Sequence, residues 1–308
     1  MPRNCIGVDV AKDWIDVFHP VDGAARLASD PGTLRAFARR VARERRLVVF
    51  EASGGYDRPL AEALRNVGAG YCRVNPGQAR HFARALGVLG KTDRVDARLL
   101  AEMGARLELA ATPSPAPVQR ALKAQAARRR QLVEMRKQER TRLRQAAGRA
   151  ERRSLERHLR WLDGEIARIE AALDETLAAD APAARVLARL CTAPGVGRVL
   201  ATTLVAELPE LGARDRRRIA AMAGIAPVAR DSGKRSPARS IGGGRPVVRS
   251  ALYLAALSAS RFDPGLASFR NRLERRGRTP KQAIIAVARK LLTILNAMIR
   301  DGTDCRPA

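Results

Sequence analysis

The sequence is poor in the residues that build disulfide scaffolds, zinc sites and base-stacking surfaces. Its four cysteines share no Cys-x-x-Cys spacing, and its three histidines are isolated from one another. This composition indicates neither a disulfide framework nor a zinc site, and it is typical of a reducing cytoplasm. Any bound metal is therefore expected to have oxygen ligands. Aromatic residues make up only 4% of the chain, which argues against recognition of single strands by base stacking.

Acidic residues are also scarce relative to basic ones. The 308 residues include 51 arginines and seven lysines against 31 acids, and the net charge is +27. A polyphosphate is the natural partner for such a charge, so the composition predicts binding to nucleic acid. No apolar run approaches the length of a membrane span and no N-terminal signal region is recognisable, so no membrane association is expected.

Residues 1–112 are predicted to form an α/β domain with a mixed sheet. Short apolar runs at residues 5–10, 47–51 and 71–74 indicate buried strands, residues 14–18 a hairpin partner, and residues 26–28 a weaker strand. Helical patterns begin at residue 31 and extend over residues 59–66, 76–85 and 92–107. The order of three strands followed by alternating helices and strands is typical of this class.

A proline-rich linker at residues 112–117 separates this domain from a polar helical region over residues 113–181. The second half of that region has apolar residues alternately four and three apart, as in a coiled coil. These residues are Leu155, Leu159, Leu162, Ile166, Ile169 and Leu173. An intermolecular coiled coil and an internal helical hairpin both fit the pattern.

Residues 182–302 are predicted to form a third, mostly helical domain, followed by a disordered tail. Two apolar segments here flank the turn Pro194-Gly195-Val196-Gly197, which is the pattern of a helix–hairpin–helix. The amides of such a turn and of the following helix bind phosphate without reading a base, so Gly195 and Gly197 are candidate nucleic-acid contacts. An ordinary turn between two helices is the alternative.

Four acidic residues are the strongest candidates for a metal site. Asp9 and Glu51 end two predicted buried strands, where an uncompensated acid is costly. Asp93 and Asp96 are three residues apart, on one face of a predicted helix that Thr92 can cap. If these elements pack together, the four carboxylates suit Mg²⁺, which prefers oxygen ligands. Taken singly, each acid is more simply a turn residue, a strand-end cap or a solvated charge.

Several segments, taken together, resemble one family. They are IGVDVAK (residues 6–12), EASGGY (51–56), NP (75–76), KTDRVDA (91–97), PGVG (194–197), AGIAP (223–227), SG (232–233) and RSALY (249–253). In this order they resemble the DEDD insertion-sequence transposases, a group that includes the Piv-type DNA invertases and the bridge-RNA-guided recombinases. The resemblance extends over nearly the whole chain.

The resemblance implies a RuvC-like N-terminal domain of the RNase H fold, with Asp9, Glu51, Asp93 and Asp96 as Mg²⁺ ligands. It implies a central coiled coil and a C-terminal transposase domain in which Ser232 attacks DNA and forms a covalent phosphoserine intermediate. It further implies donor and target DNA as substrates, a structured noncoding guide RNA, and a tetramer, a dimer of dimers, in which the coiled coil helps assembly. The expected location is the bacterial cytoplasm, in association with the nucleoid.

Apart from the resemblance, the sequence gives little indication that Ser232 is a nucleophile. It lies in Asp-Ser-Gly-Lys, which is ordinary turn composition, and no histidine is nearby to activate its hydroxyl. The metal site of the other domain is then the expected activator. Basic residues near it suit phosphate contacts, although a solvated basic face is the default for each. These residues are Arg230, Lys234, Arg235 and Arg245.

Two other functions fit the residues less well. In a RuvC-type nuclease or junction resolvase the acids hydrolyse DNA and Ser232 is structural, so no protein–DNA adduct forms. A basic DNA- or RNA-binding scaffold without catalysis is the other, and the four intact acids argue against it. Sugar-kinase and actin-like folds also open with a Gly-x-Asp strand, but the Gly-rich phosphate loops and duplicated domain that they need are not visible in the sequence.

Overall fold

The fold is given by a computed structural model that describes residues 5–88, 93–228 and 240–305, with side chains from residue 96 onward in the helix that begins at Asp93. The chain divides into two compact units, Met1–Ser114 and Pro115–Ala308. Each unit has its own hydrophobic core.

The first unit is built on a five-stranded sheet. Its elements are β1 (Cys5–Val10), β2 (Trp14–His19), β3 (Gly23–Ala28), α1 (Pro31–Glu44), β4 (Leu47–Glu51), α2 (Arg58–Asn66), β5 (Tyr71–Val74), α3 (Pro76–Ala85) and α4 (Asp93–Arg106). The strand order is β3-β2-β1-β4-β5. The pairs β1–β2 and β2–β3 are antiparallel, whereas β1–β4 and β4–β5 are parallel. The predicted mixed sheet is therefore confirmed, and β3 is a full strand rather than a short one.

Alternation along the strands divides the two faces of this sheet between different helices. Ile6 and Val8 of β1 pack with α1 and α2, in a core that also contains Phe50 of β4. Cys5 of β1 and Val49 of β4 point to the opposite face, where they pack against α4. The odd-numbered residues of both strands, which include Asp9 and Glu51, therefore belong to the α4 face.

The second unit is helical apart from one short strand pair. Its elements are α5 (Pro117–Gln145), α6 (Arg149–Ala178), α7 (Ala181–Cys191), α8 (Arg198–Glu207), α9 (Arg216–Met222), β6 (Pro227–Val228), β7 (Ser240–Ile241), α10 (Pro246–Phe262), α11 (Pro264–Arg275) and α12 (Pro280–Asp301). Helix α11 was not predicted, although Asp263 caps it and Pro264 occupies its first turn, both of which are helix-start signals.

Helices α5 and α6 form a hairpin within one chain. Leu162 and Ile166 of the heptad pattern are buried against Leu132 of α5, and Leu173 packs into the core shared with the C-terminal helices. The internal hairpin is thus the alternative that the structure adopts. The hairpin and the C-terminal helices form one compact unit.

Helix α12 is the central helix of the second unit. The expectation that no apolar segment approaches the length of a membrane span was wrong for this helix: among the helices that the structure describes, it alone is long and apolar enough to cross a membrane by length and composition. Its apolar stripe, including Val287, Leu291 and Leu295, is buried in the core of the unit. The core helix of a globular protein passes the same test, so this packing accounts for the composition of α12.

Candidate active site

Asp9 and Glu51 lie side by side at the edge of the sheet where β1 and β4 end. The parallel register pairs Gly7 with Val49 and Val8 with Phe50. One further step along both strands places Asp9 beside Glu51, on the same face, about 5 Å apart between backbones. Both residues are half-buried. The strand geometry therefore brings together two acids that are 42 positions apart in the sequence.

Helix α4 crosses this face in direct contact with β1. A β-carbon built on Gly7 would lie 1.8 Å from the carbonyl oxygen of Ala97, and one built on Gly104 would lie 2.9 Å from Sγ of Cys5. Helix α4 therefore runs in the opposite direction to β1, so the end of β1 that carries Asp9 faces the beginning of α4. Two strand residues advance about 6.6 Å, which corresponds to about four residues of a helix.

By this spacing the first turn of α4 lies at the level of Asp9. Asp93 begins α4 and Asp96 is half-buried within its first turn. The side chain of Asp93 lies outside the described residues. Asp96 and Glu51 line the same cleft, whose volume is about 310 Å³. The geometry therefore brings Asp9, Glu51 and the first turn of α4, which contains Asp93 and Asp96, to one edge of the sheet. Among the described side chains, no three acidic, histidine or cysteine groups form a metal-sized cluster.

Two buried acids near this edge were not predicted. Asp16 faces Asp9 across the β1–β2 pair, is 3% exposed, and accepts two hydrogen bonds from the guanidinium of Arg26, at 3.0 and 2.8 Å. Asp57 is 1% exposed and accepts hydrogen bonds from the backbone N–H of Ser53 and from Arg73. Sequence alternation places Asp16 on the α4 face, whereas no local pattern marks Asp57. Both acids have arginine partners, so their charges are compensated within the fold.

The predicted turn around Gly195 has two glycines in different environments. Gly195 has a positive φ of 75°, and a β-carbon there would lie 2.5 Å from backbone atoms of Ala259 on α10. Gly197 precedes α8, and a β-carbon there would meet no atom within 4 Å. The turn thus packs onto α10 through Gly195, while the backbone at Gly197 remains open to a ligand.

Arg245 is engaged within the protein. Its guanidinium donates to both carboxylate oxygens of Glu210, at 2.6 and 2.7 Å, and its backbone N–H donates to Met222. Burial alone would raise the pKa of Glu210, but the hydrogen bonds from Arg245 and the nearby positive charges outweigh it and hold that pKa below its usual value. The same hydrogen bonds raise the pKa of Arg245. This pairing favours a structural role for Arg245 over a phosphate contact.

The remaining predicted site residues lie outside the described part of the chain. They are Ser232, Arg230, Lys234 and Arg235. Strands β6 and β7, which flank this segment on either side, pair with each other in antiparallel register.

Comparison with known proteins accounts for most of the chain. Residues 6–148 match a DEDD-type transposase family model of IS110 elements, and residues 187–288 match a transposase model of the IS116/IS110/IS902 family. Together with the mixed sheet and its acidic edge, these matches define the class of protein as a DNA transposase. The DEDD-type domain further points to dependence on a divalent metal.

Relatives extend the likeness over the full length. The pilin gene-inverting proteins of Moraxella bovis and Moraxella lacunata are 29% and 28% identical to this chain, over 98% of it and 97% of each relative. An insertion element IS900 protein of Mycobacterium paratuberculosis is 34% identical over 48% of this chain and 37% of its own length. The chain belongs to the DEDD-type insertion-sequence transposases of the IS110/IS116/IS902 family, whose activity is DNA recombination and transposition.

Proposed function

We propose that this transposase is a Mg²⁺-dependent recombinase that cuts and rejoins DNA strands through a covalent phosphoserine intermediate, guided by a structured noncoding RNA. One observation carries the proposal: the β1–β4 register and the contact of α4 with Gly7 bring Asp9, Glu51 and the first turn of α4 to one edge of the sheet. In a RuvC-like domain of the RNase H fold, these acids are the metal ligands.

The residues at this edge fit a hard divalent cation. Asp9, Glu51 and Asp96 offer only oxygen ligands and are half-buried, and Glu51 and Asp96 line an open cleft. Asp93, on the same helical turn, is the fourth ligand of the proposal. When bound, Mg²⁺ supplies charge stabilisation and polarisation of the scissile phosphate.

Ser232 is the nucleophile of the proposal. Its Oγ loses a proton and forms a bond to the scissile phosphorus, the bond from phosphorus to the deoxyribose oxygen breaks, and that oxygen takes up a proton. Because one phosphodiester replaces another, the strand can be rejoined when a deoxyribose hydroxyl attacks the phosphoserine and the serine leaves. Strand exchange of this kind needs no external energy source.

Donor and target DNA are the proposed substrates. The net charge of +27 supports binding to the phosphate backbone, with Gly197, Arg230, Lys234 and Arg235 as proposed contacts. In this proposal, base pairing between the guide RNA and the DNA determines specificity. The active assembly is a tetramer made of two dimers. The name of the Moraxella relatives, which invert a pilin gene, supports a rearrangement of DNA. The proposed location is the cytoplasm, at the nucleoid.

A direct test is the detection of a denaturation-resistant protein–DNA adduct. Purified protein is incubated with Mg²⁺, RNA transcribed from the DNA flanking the element, and labelled donor and target DNA. We expect an adduct with the unaltered protein that is lost in Ser232→Ala and in Asp9→Asn, Glu51→Gln and Asp96→Asn. Matched controls are Ser154→Ala and Glu62→Gln, because both residues are exposed and lie outside the proposed site.

The other outcomes identify the alternatives. Cleaved DNA without an adduct, unaffected by Ser232→Ala, indicates a RuvC-type nuclease. Binding without cleavage or adduct indicates a non-catalytic scaffold. An adduct that forms equally well without the RNA contradicts the guided mechanism while leaving the serine mechanism in place, and activity retained in chelator contradicts metal dependence.

A further inference from the structure

A cleft beside the acids is lined by side chains of both charges. It is bounded by α3 and α4, and its lining includes Glu51 and Asp96. Arg80 and Arg84 of α3 also line it, together with the apolar residues Phe82, Ala83, Leu99, Leu100 and Met103. A volume of about 310 Å³ is at the lower end of the range for small-ligand sites.

The two arginines are available to a ligand. Arg80 and Arg84 are exposed, and neither forms a salt bridge with any residue that the structure describes, including the carboxylates across the cleft. Their neighbours differ: Arg73 pairs with Asp57, and Arg98 and Arg106 both pair with Glu102. Both guanidinium groups can therefore donate hydrogen bonds to an anionic ligand that enters the cleft.

The spacing of the arginines suits a phosphate. Arg80 and Arg84 are one helical turn apart, so their side chains leave the same face of α3. A guanidinium donates two parallel hydrogen bonds to phosphate oxygens, which makes arginine the usual choice for this contact. The apolar residues that line the cleft can pack against a deoxyribose, which has no charge of its own.

We propose that this cleft binds the DNA strand at a phosphate next to the scissile one, with Arg80 and Arg84 as the phosphate-binding residues. The proposal rests on the function proposed above, because it takes Glu51 and Asp96 as part of the reaction centre. It assigns α3 the role of positioning the strand: the arginines bind a phosphate that does not react, and this contact holds its neighbour at the acids.

The test compares two pairs of arginines with the same spacing. Arg80→Ala/Arg84→Ala removes the cleft pair. Arg39→Ala/Arg43→Ala is the matched control, since Arg39 and Arg43 are exposed and one turn apart on α1, a helix that packs on the other face of the sheet. Both double variants lose the same net charge. Thermal unfolding checks that both remain folded.

Binding is measured first, with a labelled duplex that carries the end of the element, over a range of salt concentrations. We expect the cleft variant to bind at least about tenfold more weakly. We expect the slope of log K against log salt to fall by about 1, because both arginines bind the same phosphate and each lost phosphate contact lowers the slope by about 1. The control variant should retain the slope of the unaltered protein. Equal effects of the two variants overturn the proposal, as does loss of RNA binding with DNA binding intact.

A second measurement locates the phosphate. A series of duplexes is made in which one phosphate at a time is replaced by a neutral methylphosphonate. At one position next to the cleavage point, the replacement should weaken binding by the unaltered protein and have little further effect on the cleft variant, as expected for two partners of one contact. If no position in the series shows this coupling, the proposal is overturned. The readout is independent of the adduct, so failure of the serine mechanism and failure of this inference give different results.

Discussion

Gly7 and Ala97 are in backbone contact so close that a β-carbon on Gly7 would lie 1.8 Å from the carbonyl oxygen of Ala97 and 2.6 Å from the amide nitrogen of Ala101. Ala97 and Ala101 are both buried, so small residues are needed on each side of this contact. The contact sets how deeply α4 packs onto the sheet. It therefore also sets the distance between the first turn of α4 and the acids that end β1 and β4.

Gly7→Ala is expected to abolish adduct formation without unfolding the protein. Since the added methyl group would meet backbone atoms, α4 must move away from β1, and overpacking of this kind costs about 1–3 kcal/mol. The measurements are the free energy of unfolding and the adduct yield. Gly70→Ala is the control in the same unit, because a β-carbon there has its nearest neighbour at 3.6 Å. Full adduct yield in Gly7→Ala would contradict the role given to α4.

Two glycines within helices are expected to respond to alanine in opposite directions. Gly104 of α4 is buried, and a β-carbon there would lie 2.7 Å from Cγ2 of Val49. A β-carbon on Gly164 of α6 would have its nearest neighbour at 3.9 Å, at the end of the flexible Arg168 side chain. Gly104→Ala should lower the melting temperature. Gly164→Ala should raise the stability by about 0.5–1 kcal/mol, because alanine is the better helix former. Thermal unfolding checks both signs, and stabilisation by Gly104→Ala would show that α4 packs more loosely than described.

The sequence was sufficient to predict elements whose pattern is local. Strand alternation and the acids at strand ends predicted the mixed sheet and placed Asp9 and Glu51 at its edge, because the carboxyl ends of parallel strands meet there. The contact between Gly7 and Ala97 could not be predicted, since it depends on which helix crosses β1 and in which direction. The pairing of Arg245 with Glu210 was missed for the same reason: 35 residues separate them, and an isolated arginine is indistinguishable from a phosphate ligand.

The turn before α8 is expected to tolerate alanine at one glycine and reject it at the other. Gly195 combines a positive φ with backbone contact to Ala259, so Gly195→Ala should lower the stability of the second unit by about 2–4 kcal/mol. Gly197→Ala has open space and should cost no more than about 1 kcal/mol. Chemical denaturation measures both values. Equal costs at the two positions would contradict the packing of this turn onto α10.

The contribution of Glu44 to stability is expected to disappear in acid. Hydrogen bonds from Arg40 and His19 lower the pKa of Glu44 from 4.5 to about 2. Since the folded state holds the ionised form, the contribution is complete above about pH 4.5 and is lost as the pH falls towards 2. Glu44→Gln should therefore be less stable than the unaltered protein at pH 7, by no more than about 1 kcal/mol at this partly exposed site, and equally stable near pH 2.

Melting temperatures measured from pH 2 to pH 7 test this prediction. Glu62→Gln is the control for loss of one exposed carboxylate, since Glu62 forms no salt bridge with any described residue. A difference between Glu44→Gln and the unaltered protein that is the same at every pH would contradict the prediction.

Arg245 is expected to act on stability and to have little effect on DNA binding. Both members of its pair with Glu210 are partly buried, so removing either one leaves a desolvated charge without its partner. Arg245→Ala and Glu210→Ala should each lower the free energy of unfolding by about 1–3 kcal/mol. The double variant should cost less than the sum of the two, because the second substitution removes the group that the first left unpaired.

DNA binding separates this structural role from a phosphate contact. If Arg245 bound a phosphate, Arg245→Ala would lower the slope of log K against log salt by about 1, whereas Glu210→Ala would leave it unchanged or raise affinity by freeing the guanidinium. If Arg245 is structural, both variants should show the same slope of log K against log salt as the unaltered protein, at temperatures where all three are folded. Arg245→Lys should behave like Arg245→Ala in stability, because an ammonium cannot form the paired hydrogen bonds to both oxygens of Glu210.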